Sequence, residues 1–252
     1  MHYVSGVRGQ CVGILLASVA IMLVATSAHA QTTDEVIAKN LKAQGGRDAL
    51  LNLKAVERKG KVSVDGTFGQ MAGTIEDITI PWKKARRTLD LEVFVQKEGY
   101  NGTSAWREGM AGLQELEGEE AAQIKQAVDL NPFVMAEKRG AKIEKVDDEK
   151  LDDVDCYVVQ VTPKDRPPVK FYVDKKTDLI NRMKLNQNHP QFGEMEVTVD
   201  SSDYQQFGPV KLATKTKATL GEAIQIETTY TETKVNGEVD ESVFEKPSEA
   251  GK

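Results

Sequence analysis

Residues that carry out chemistry are scarce in this sequence. Its 252 residues include three histidines, two cysteines and 6% aromatic side chains. Beyond residue 30 only Cys156 and His189 remain of the first two types, so no intramolecular disulfide can form and a zinc site lacks ligands. His189 stands before Pro190 in a polar stretch, and no serine lies in a glycine-flanked elbow. The sequence therefore predicts no catalytic residue, no cofactor and no enzyme, and Cys156 as a small buried side chain.

Positive charge and metal-binding patterns are also scarce. The chain has 33 basic and 39 acidic residues, and beyond residue 30 the numbers are 32 and 39, a formal charge of −7. A negatively charged chain is a poor partner for nucleic acid, so we predict no nucleic-acid binding. Residues 147–155 are rich in acids but lack the alternating ligands and the glycine of a calcium loop. We predict a solvated turn there and no metal site.

The first 30 residues contain a hydrophobic run. Arg8 precedes an apolar stretch from Val12 to Ala25, and Ala28-His29-Ala30 supplies the small residues that a signal peptidase requires. This stretch is shorter than the ~20 residues of a membrane-spanning helix, which favours a cleaved signal peptide over a retained membrane anchor. We predict a signal peptide over residues 1–30 and a single domain over residues 31–252.

Most of the remaining chain alternates apolar and polar residues. Between Val210 and Thr228, valine, leucine, alanine and isoleucine alternate with lysine, glutamine and glutamate, a period of two that is typical of half-buried antiparallel strands. Turn signals such as Asp65-Gly66 and Asn236-Gly237 separate the segments. The pattern predicts about 10 to 11 strands, at 56–64, 68–80, 85–97, 100–107, 141–147, 155–163, 168–175, 179–188, 193–204, 209–220 and 222–236, with a frayed tail over 247–252.

Three short segments have a helical pattern instead. Thr32 and Glu35 form a capping box before an apolar stripe, and Gly45 and Gly46 are suited to end that helix. We predict helices at about 33–44, 47–53 and 118–129. The third helix interrupts the strands, and it is either a moving lid or a fixed cap, because both require one apolar face.

The interior of the predicted sheet is expected to hold a guest. A strongly curved sheet of this many strands encloses more space than its own side chains fill, and the inward residues are mainly aliphatic with few buried charges. The clearest alternation is in the predicted strand 85–97, where every second residue from Leu89 to Val95 is aliphatic. Trp82 and Trp106 either line the mouth of the cavity or pack at strand ends. The candidate lipid-binding residues are Val62, Val64, Trp82, Leu89, Leu91, Val93, Val95, Trp106, Ile124 and Val128.

A series of short motifs follows in a recognisable order along the chain. These are Val36-Ile37-Ala38-Lys39, Gln44-Gly45-Gly46, Pro81 with Arg86, Tyr100-Asn101-Gly102 before Trp106, Glu117-Gly118-Glu119-Glu120, Tyr157-Val158-Val159-Gln160-Val161-Thr162-Pro163, Phe171-Tyr172-Val173-Asp174, Asp203-Tyr204 and Phe244-Glu245-Lys246-Pro247. Their order and spacing resemble the outer-membrane lipoprotein-sorting, lipoprotein-carrier-like family of periplasmic proteins. The resemblance implies a mainly β (α+β) fold, in which an incomplete antiparallel β-barrel surrounds a hydrophobic cavity and short helices act as plug or lid.

The resemblance also implies a function and one specific contact. Carriers of this kind take up the acyl chains of a lipoprotein and move them across the periplasm, and an arginine on an early strand helps to hold the lid. Arg86 or Arg87 matches that lid-holding arginine. Both belong to the basic cluster Lys83, Lys84, Arg86 and Arg87, which either docks on anionic lipid or an acidic partner or is a solvated strand edge.

Three functions follow from these observations. The first is a periplasmic carrier that shields the acyl chains of a lipid or lipoprotein during sorting to the outer membrane. The second is an envelope sensor or regulatory domain that uses the same fold to bind lipid or a protein partner. The third is a structural domain whose interior is full. The first two predict partner proteins in the inner or outer membrane, and the chain itself is predicted to be a monomer.

Overall fold

One antiparallel sheet organises the part of the chain that the structure describes. The computed structural model describes residues 31–66, 69–164, 166–189, 193–221 and 224–247, so the predicted signal peptide and residues 248–252 of the predicted tail lie outside it. Within these ranges the strands are β1 (Val56–Gly66), β2 (Gly69–Ile80), β3 (Lys84–Asp90), β4 (Val95–Tyr100), β5 (Ala105–Gly109), β6 (Gly112–Leu116), β7 (Lys142–Lys145), β8 (Glu149–Leu151), β9 (Val154–Thr162), β10 (Val169–Asp174), β11 (Ile180–His189), β12 (Gly193–Phe207), β13 (Val210–Leu220) and β14 (Ile224–Val235).

The strands lie in the order β6-β5-β4-β3-β2-β1-β14-β13-β12-β11-β10-β9-β7, and β8 pairs separately with β9. The two ends, β6 and β7, do not pair with each other, so the sheet is not closed. The helices are α1 (Thr33–Ala43), α2 (Arg47–Leu51), α3 (Gly118–Gln126) and a C-terminal 3₁₀ helix (Glu241–Phe244). The described ranges thus confirm a mainly β, incomplete barrel-like sheet with short helices. None of these helices is long and apolar enough to cross a membrane.

The number of strands in the described residues is 14, three more than the eleven segments that the alternating pattern predicted. The short strands β6 and β8 carry too few residues for the pattern to detect. The third difference is the predicted strand 85–97, which the structure divides into β3 and β4 with a turn between them.

That turn is formed by residues 91–94 and is fixed by local hydrogen bonds. Glu92 has a φ of 64°, and its backbone N–H donates to Asp90 Oδ1 at 3.0 Å, the side-chain-to-backbone bond that favours aspartate at turns. Leu91 N donates to Phe94 O at 3.1 Å, and Val93 N donates to Leu91 O at 2.7 Å. The prediction of one continuous strand was wrong here. The turn residues continue the apolar–polar alternation of the strand, so the pattern does not reveal the turn.

Helix α1 begins and ends as its sequence indicates. The Thr32 side chain accepts a hydrogen bond from Glu35 N at 3.3 Å, and the Glu35 carboxylate accepts one from Thr32 N at 2.9 Å, which completes the capping box. After the helix, Gly45 has a φ of 120° and lies against strand β13. A Cβ at Gly45 would be 2.2 Å from Pro209 O, so only glycine allows this approach.

The helices pack on one face of the sheet, which we call the helix-covered face. Buried residues of α1, α2 and the segment 127–141 join those of β1, β9, β10 and β13 in the main core, including Val36, Leu41, Leu50, Phe133, Val134, Val56, Val159, Phe171 and Leu212. Further along the same face, Ala121 and Ile124 of α3 pack on Ala105 and Leu116 of β5 and β6. The opposite side is the outer face, where the 3₁₀ helix lies.

The sheet is strongly curled, as the contacts of α3 demonstrate. Eight strand-to-strand steps separate β5 from β11, about 38 Å in a flat sheet. Glu120 of α3 nevertheless accepts a hydrogen bond from Arg107 of β5 at 3.1 Å, and Gln123 donates one to Gln187 of β11 at 3.1 Å. Glu120 and Gln123 are only three residues apart, about 4.5 Å along a helix. Strands that are distant in the sheet therefore face each other beneath α3.

Candidate functional site: the interior of the curled sheet

An apolar surface lies on the helix-covered face of β14, β1, β2 and β3. We call it the apolar wall, and its members are Val62, Ile75, Leu91 and Tyr230, which are buried, and Val64, Met71, Leu89, Phe94 and Ile226, which are partly buried. Helices α1 to α3 contribute no residue to this cluster. Because five of its nine members keep accessible apolar area inside a curled sheet, the wall is suited to contact an apolar ligand.

The turn after β3 folds onto this wall because Gly73 leaves room for it. A Cβ at Gly73 would lie 1.8 Å from Asp90 O and 2.9 Å from the Cα of Leu91. Leu91 is consequently placed over β2 and is only 3% exposed. The local sequence thus bends the end of one hairpin over the interior.

A cavity of about 250 Å³ adjoins the apolar wall, and we call it the inner cavity. The sheet forms one side of it, and Ala127, Asp129 and Leu130, which follow α3, form part of the other. Its lining includes Gln44, Val56, Arg58, Asp77, Thr79, Arg87, Ser201, Tyr204, Leu212 and Thr216. Unlike the apolar wall, this cavity has both polar and apolar residues in its lining.

A buried carboxylate organises the polar side of the inner cavity. Asp77 is 5% exposed, and it accepts hydrogen bonds from Arg87 Nε at 2.8 Å and Arg58 Nη2 at 3.2 Å. The hydroxyl of Tyr230 also donates to Asp77 Oδ2, and the Arg58 guanidinium lies 3.9 Å from the centre of the Tyr230 ring. Burial raises the pKa of Asp77, but the charges of Arg87 and Arg58 with these hydrogen bonds outweigh it and lower the pKa to about 2.

The sequence prediction of few buried charges missed this cluster. Asp77 stands between Ile75 and Thr79 on the same face of β2, and all three are buried. A charged residue in the inward series of a strand is a signal for a partnered buried charge. The sequence therefore contained evidence for the cluster, but the two arginine partners come from other strands and were not identifiable.

A second polar network holds α1 on the segment that follows α3. Asn131 is 1% exposed, and its Nδ2 donates to Asn40 Oδ1 at 2.8 Å and Gln44 Oε1 at 2.7 Å. Its Oδ1 accepts from Phe133 N at 2.8 Å. Gln44 Nε2 donates in turn to Leu130 O at 3.1 Å. This network anchors α1 to the segment that follows α3, over the main core.

Helix α3 is held much less firmly. Its N-cap residue Glu117 makes no side-chain capping bond, and among its nine residues only Ala121 and Ile124 are buried. Its other side-chain contacts include the partly exposed pair of Arg107 with Glu120, the bond of Gln123 to Gln187, and Lys125 Nζ at 5.6 Å from the centre of the Tyr100 ring. A helix with so small a buried face is suited to open without disturbing the rest of the fold.

A larger cleft of about 1000 Å³ lies beside the N-terminus of α3. Its lining is mostly polar and includes Gly118, Glu119, Glu149, Gln160, Pro167, Pro168, Lys170, Tyr172, Lys184 and Glu196. None of the residues predicted to bind lipid lines it. This cleft is therefore not the aliphatic cavity that the sequence predicted.

The predicted lipid-binding residues divide into three groups. Val62, Val64, Leu89 and Leu91 belong to the apolar wall, so the structure brings these four together. Ile124 and Val128 are 7% and 2% exposed, and they lie in or just after α3. Their burial leaves them little free area while α3 is in place.

Trp82 belongs to the second group with Ile124 and Val128. It lies on the helix-covered face but has a packing role. Its Nε1 donates to Leu50 O at 3.3 Å, its backbone N donates to Val128 O at 3.0 Å, and its ring packs against the main core. It therefore connects α2 with the residues after α3. Of the two roles predicted for Trp82, lining the mouth of the cavity and packing at strand ends, these contacts support packing.

The third group lies away from the interior, and the prediction of an inward position was wrong for it. Trp106 faces outward, where its Nε1 donates to Phe244 O at 3.0 Å. Val93 is 75% exposed at the tip of the turn, and Val95 is 43% exposed. The turn shifts the alternation, because Leu89 pairs with Gln96 and Val95 consequently lies on the other face.

The two candidate lid-holding arginines lie on opposite faces of β3. Arg87 is on the helix-covered face, where it binds Asp77. The alternation of the strand directs the Arg86 side chain to the outer face, although Arg86 also belongs to the lining of the inner cavity. Arg107 of β5 bonds to α3, through Glu120. Lys84 of the basic cluster is also occupied, since it pairs with Glu241 at 2.8 Å.

Among the described residues, no three or more His, Cys, Asp or Glu side chains cluster closely enough to hold a metal ion. Cys156 is fully buried, and burial, with the nearby charges of Asp174 and Asp155, raises the pKa of its thiol to about 11. A thiol with so high a pKa is protonated at neutral pH and is a poor nucleophile.

Comparison with known proteins identifies the fold. No family model matches the sequence, and no curated protein matches it. A LolA superfamily protein from Nitrosomonas europaea matches 86% of this chain and 99% of its own, with a TM-score of 0.59 and 11% identity. An outer membrane lipoprotein-sorting protein domain from Vibrio parahaemolyticus covers 84% of this chain and 95% of its own (TM-score 0.55, 12% identity). A DUF1329 family protein from Desulfovibrio piger covers 86% and 98% (TM-score 0.61, 11% identity).

These matches define a class of structure. The chain has a LolA-like fold over most of its length, shared with a lipoprotein-sorting domain. The expected likeness to lipoprotein-sorting, carrier-like proteins is thereby confirmed at the level of the fold. At identities of 11 to 12% the similarity concerns the fold alone.

Proposed function

We propose that this protein binds the acyl chains of a lipid or lipoprotein inside its curled sheet and carries them through the periplasm toward the outer membrane. The observation that carries the proposal is the apolar wall, an accessible apolar surface on the concave side of a LolA-like fold. The predicted signal peptide over residues 1–30 is consistent with this location. Inner- or outer-membrane proteins would serve as donor and acceptor, and the carrier would act as a monomer.

Binding needs no covalent chemistry. Each Å² of apolar surface removed from water stabilises the complex by about 25 cal/mol, and a long acyl chain has several hundred Å² to bury. The polar groups of the inner cavity would stay bonded to each other. The protein therefore only shields the acyl chain from water, and release of the acyl chain requires a partner or a membrane that accepts it.

Entry of an acyl chain requires movement of α3. The inner cavity of about 250 Å³ is smaller than the roughly 300 to 1000 Å³ of typical small-molecule sites. Helix α3 covers the space between β5 and β11 and has only Ala121 and Ile124 buried. We infer that α3 is the lid and that α1, held by the Asn131 network, is the fixed plug.

Titration with a fluorescent palmitoyl lipid tests this proposal. Leu89→Asp places a charge on the apolar wall, and Thr88→Asp, its matched control, places the same charge one residue away on the other face of β3. Saturable binding to the wild type, retained by Thr88→Asp and weakened at least about tenfold by Leu89→Asp, supports the carrier. No saturable binding to the wild type, or equal binding by both variants, contradicts it.

A sensor is the second candidate, and one observation favours it. Helix α3 covers the interior and also lines the large polar cleft through Gly118, Glu119 and Ala122. A ligand that displaces α3 would therefore change the shape of that cleft, where a protein partner could dock. Capture of an envelope partner that depends on added lipid, and that Lys184→Glu in the cleft abolishes, would favour the sensor over the carrier.

A further inference from the structure

The inner cavity carries an excess of positive charge around one carboxylate. Arg58 and Arg87 both bind Asp77, so the three side chains together have a formal charge of +1. Asp129, the other acid that lines this cavity, pairs with Arg139. Glu98 lies outside the lining and shares Arg107 with Glu120.

Arg58 and Arg87 present this charge to the cavity. Both line it, and their side chains keep 23% and 43% of their accessible area. Arg58 gives Asp77 one hydrogen bond, through Nη2, out of the five N–H donors of a guanidinium. Thr79 and Ser201, which both carry hydroxyl groups, belong to the lining of the same space. The cavity thus offers donors of the kind that a phosphate or carboxylate accepts.

The charged and apolar regions are continuous along two strands. On β2, Ile75 of the apolar wall is two residues from Asp77, and on β3, Leu89 of the wall is two residues from Arg87, so each pair shares a face. Tyr230 joins the regions, since its ring belongs to the wall and its hydroxyl bonds to Asp77. A ligand with one apolar and one anionic end fits this arrangement.

We propose that the inner cavity is a subsite for the anionic headgroup of an amphiphile whose acyl chain lies on the apolar wall. This inference rests on the proposed function and narrows its ligand class to anionic lipids. With a volume of about 250 Å³, the cavity accommodates one small headgroup, and the charge-assisted bonds from Arg58 and Arg87 distinguish it from a neutral one.

The direct test compares two lipids that differ only in a phosphate group on the glycerol, 1-palmitoyl lysophosphatidic acid and 1-palmitoylglycerol. Calorimetric titration of the wild type should show tighter binding of the phosphate lipid by about 10- to 100-fold, the effect of one or two hydrogen bonds to a charged group. Inorganic phosphate alone, as a third titrant, separates a lipid subsite from a site for free phosphate.

Arg58→Gln is the informative variant. It removes the excess charge, but Asp77 keeps its two bonds from Arg87, so the fold should persist. We expect it to lose the preference for the phosphate lipid and to leave 1-palmitoylglycerol binding unchanged. Arg58→Lys should restore part of the preference. Arg182→Gln, which breaks a pair with Asp200 elsewhere on the sheet, is the matched control and should behave as the wild type.

The outcomes separate this inference from the proposed function. Equal binding of both lipids by the wild type overturns the anionic subsite and leaves acyl-chain binding in place. Binding of neither lipid contradicts the proposed function and the subsite with it. Loss of both lipids in Arg58→Gln, with an unchanged melting temperature, also overturns the subsite, because a headgroup contact should not affect the neutral lipid. Tight binding of inorganic phosphate alone would reassign the cavity to free phosphate.

Discussion

Gln123 on α3 donates a hydrogen bond of 3.1 Å to Gln187 on β11, across the opening of the curled sheet. On its other side the same helix is tied to β5 by Arg107 and Glu120. One short helix therefore joins two parts of the sheet that are eight strands apart. Few buried groups support these two connections, so α3 is the element most suited to open and close the interior.

Removing the Gln187 contact should loosen α3 selectively. In Gln187→Ala, hydrogen exchange at residues 118–126 should accelerate about two- to tenfold, the effect of one net hydrogen bond, and exchange in α1 should not change. Mass spectrometry of the exchanging protein measures both. Gln160→Ala is the control, since Gln160 makes one long bond of 3.5 Å to Glu144. Equal acceleration in α1 and α3 would show that α3 is not an independent lid.

The Asp77 cluster predicts a loss of stability in acid. Its pKa of about 2 in the folded protein is below the value of about 3.9 in an unfolded chain. The stabilisation is therefore fully present above pH 4 and is lost as the pH falls from about 4 toward 2. The expected contribution is about 2 kcal/mol, measured as the free energy of unfolding in urea between pH 4 and pH 2.

Other carboxylates titrate in the same range, so the Asp77 contribution must be isolated. Asp77→Asn should be less stable than the wild type at pH 7, and its free energy of unfolding should fall by about 2 kcal/mol less over this interval. Tyr230→Phe removes one hydrogen bond and should give an intermediate result if Asp77→Asn fails to fold. Identical pH profiles for the wild type and Tyr230→Phe would argue against the cluster.

Asn131 should be among the most sensitive polar positions. Asn131→Ala leaves the buried acceptors of Asn40 and Gln44 and the N–H of Phe133 without their partner. We expect a loss of about 3 kcal/mol in the free energy of unfolding, because each unsatisfied buried group costs about 1 to 3 kcal/mol. Asn181→Ala, which removes one bond of 3.4 Å to Asp174, should cost less than about 1 kcal/mol. Similar losses in both variants would mean that α1 is not fixed by this network.

Two single substitutions, each of which introduces a negative charge, test the position of the turn after β3. Leu91 is 3% exposed and Val93 is 75% exposed. Leu91→Asp should therefore destabilise the protein by about 3 kcal/mol or more, whereas Val93→Asp should change stability by less than about 0.5 kcal/mol. Chemical denaturation compares the two variants directly. Strong destabilisation by Val93→Asp would instead support the prediction of a continuous strand over 85–97.

The alternating pattern was sufficient to predict the sheet but not its turns. Strands such as β13 and β14 follow the period of two, whereas residues 91–94 continue the same pattern through a turn that Asp90 and a left-handed Glu92 create. The difference lies in backbone dihedral angles and one side-chain bond. Such local geometry is weakly encoded in residue polarity, and Val93 and Val95 were misplaced for that reason.

The candidate site was predictable only in its apolar part. Val62, Val64 and Leu89 meet in the apolar wall because each follows the alternation of its own strand, and the turn after β3 adds Leu91. The polar part depends on long-range pairing, which brings Arg58 of β1 and Arg87 of β3 to Asp77 of β2. Strand order and register are properties of the whole sheet, and a single sequence does not specify them residue by residue.

The central claim is that an acyl chain lies on the apolar wall, beneath α3. Photolabelling with palmitate that carries a diazirine near the middle of its chain, followed by peptide mass spectrometry, locates the chain. We expect label on β1, β2 and β3 at or near Val62, Ile75 and Leu89, reduced by competing unlabelled palmitate. Label confined to the exposed tip at Val93 or to the polar cleft beside Glu119, or no saturable label, would contradict the account.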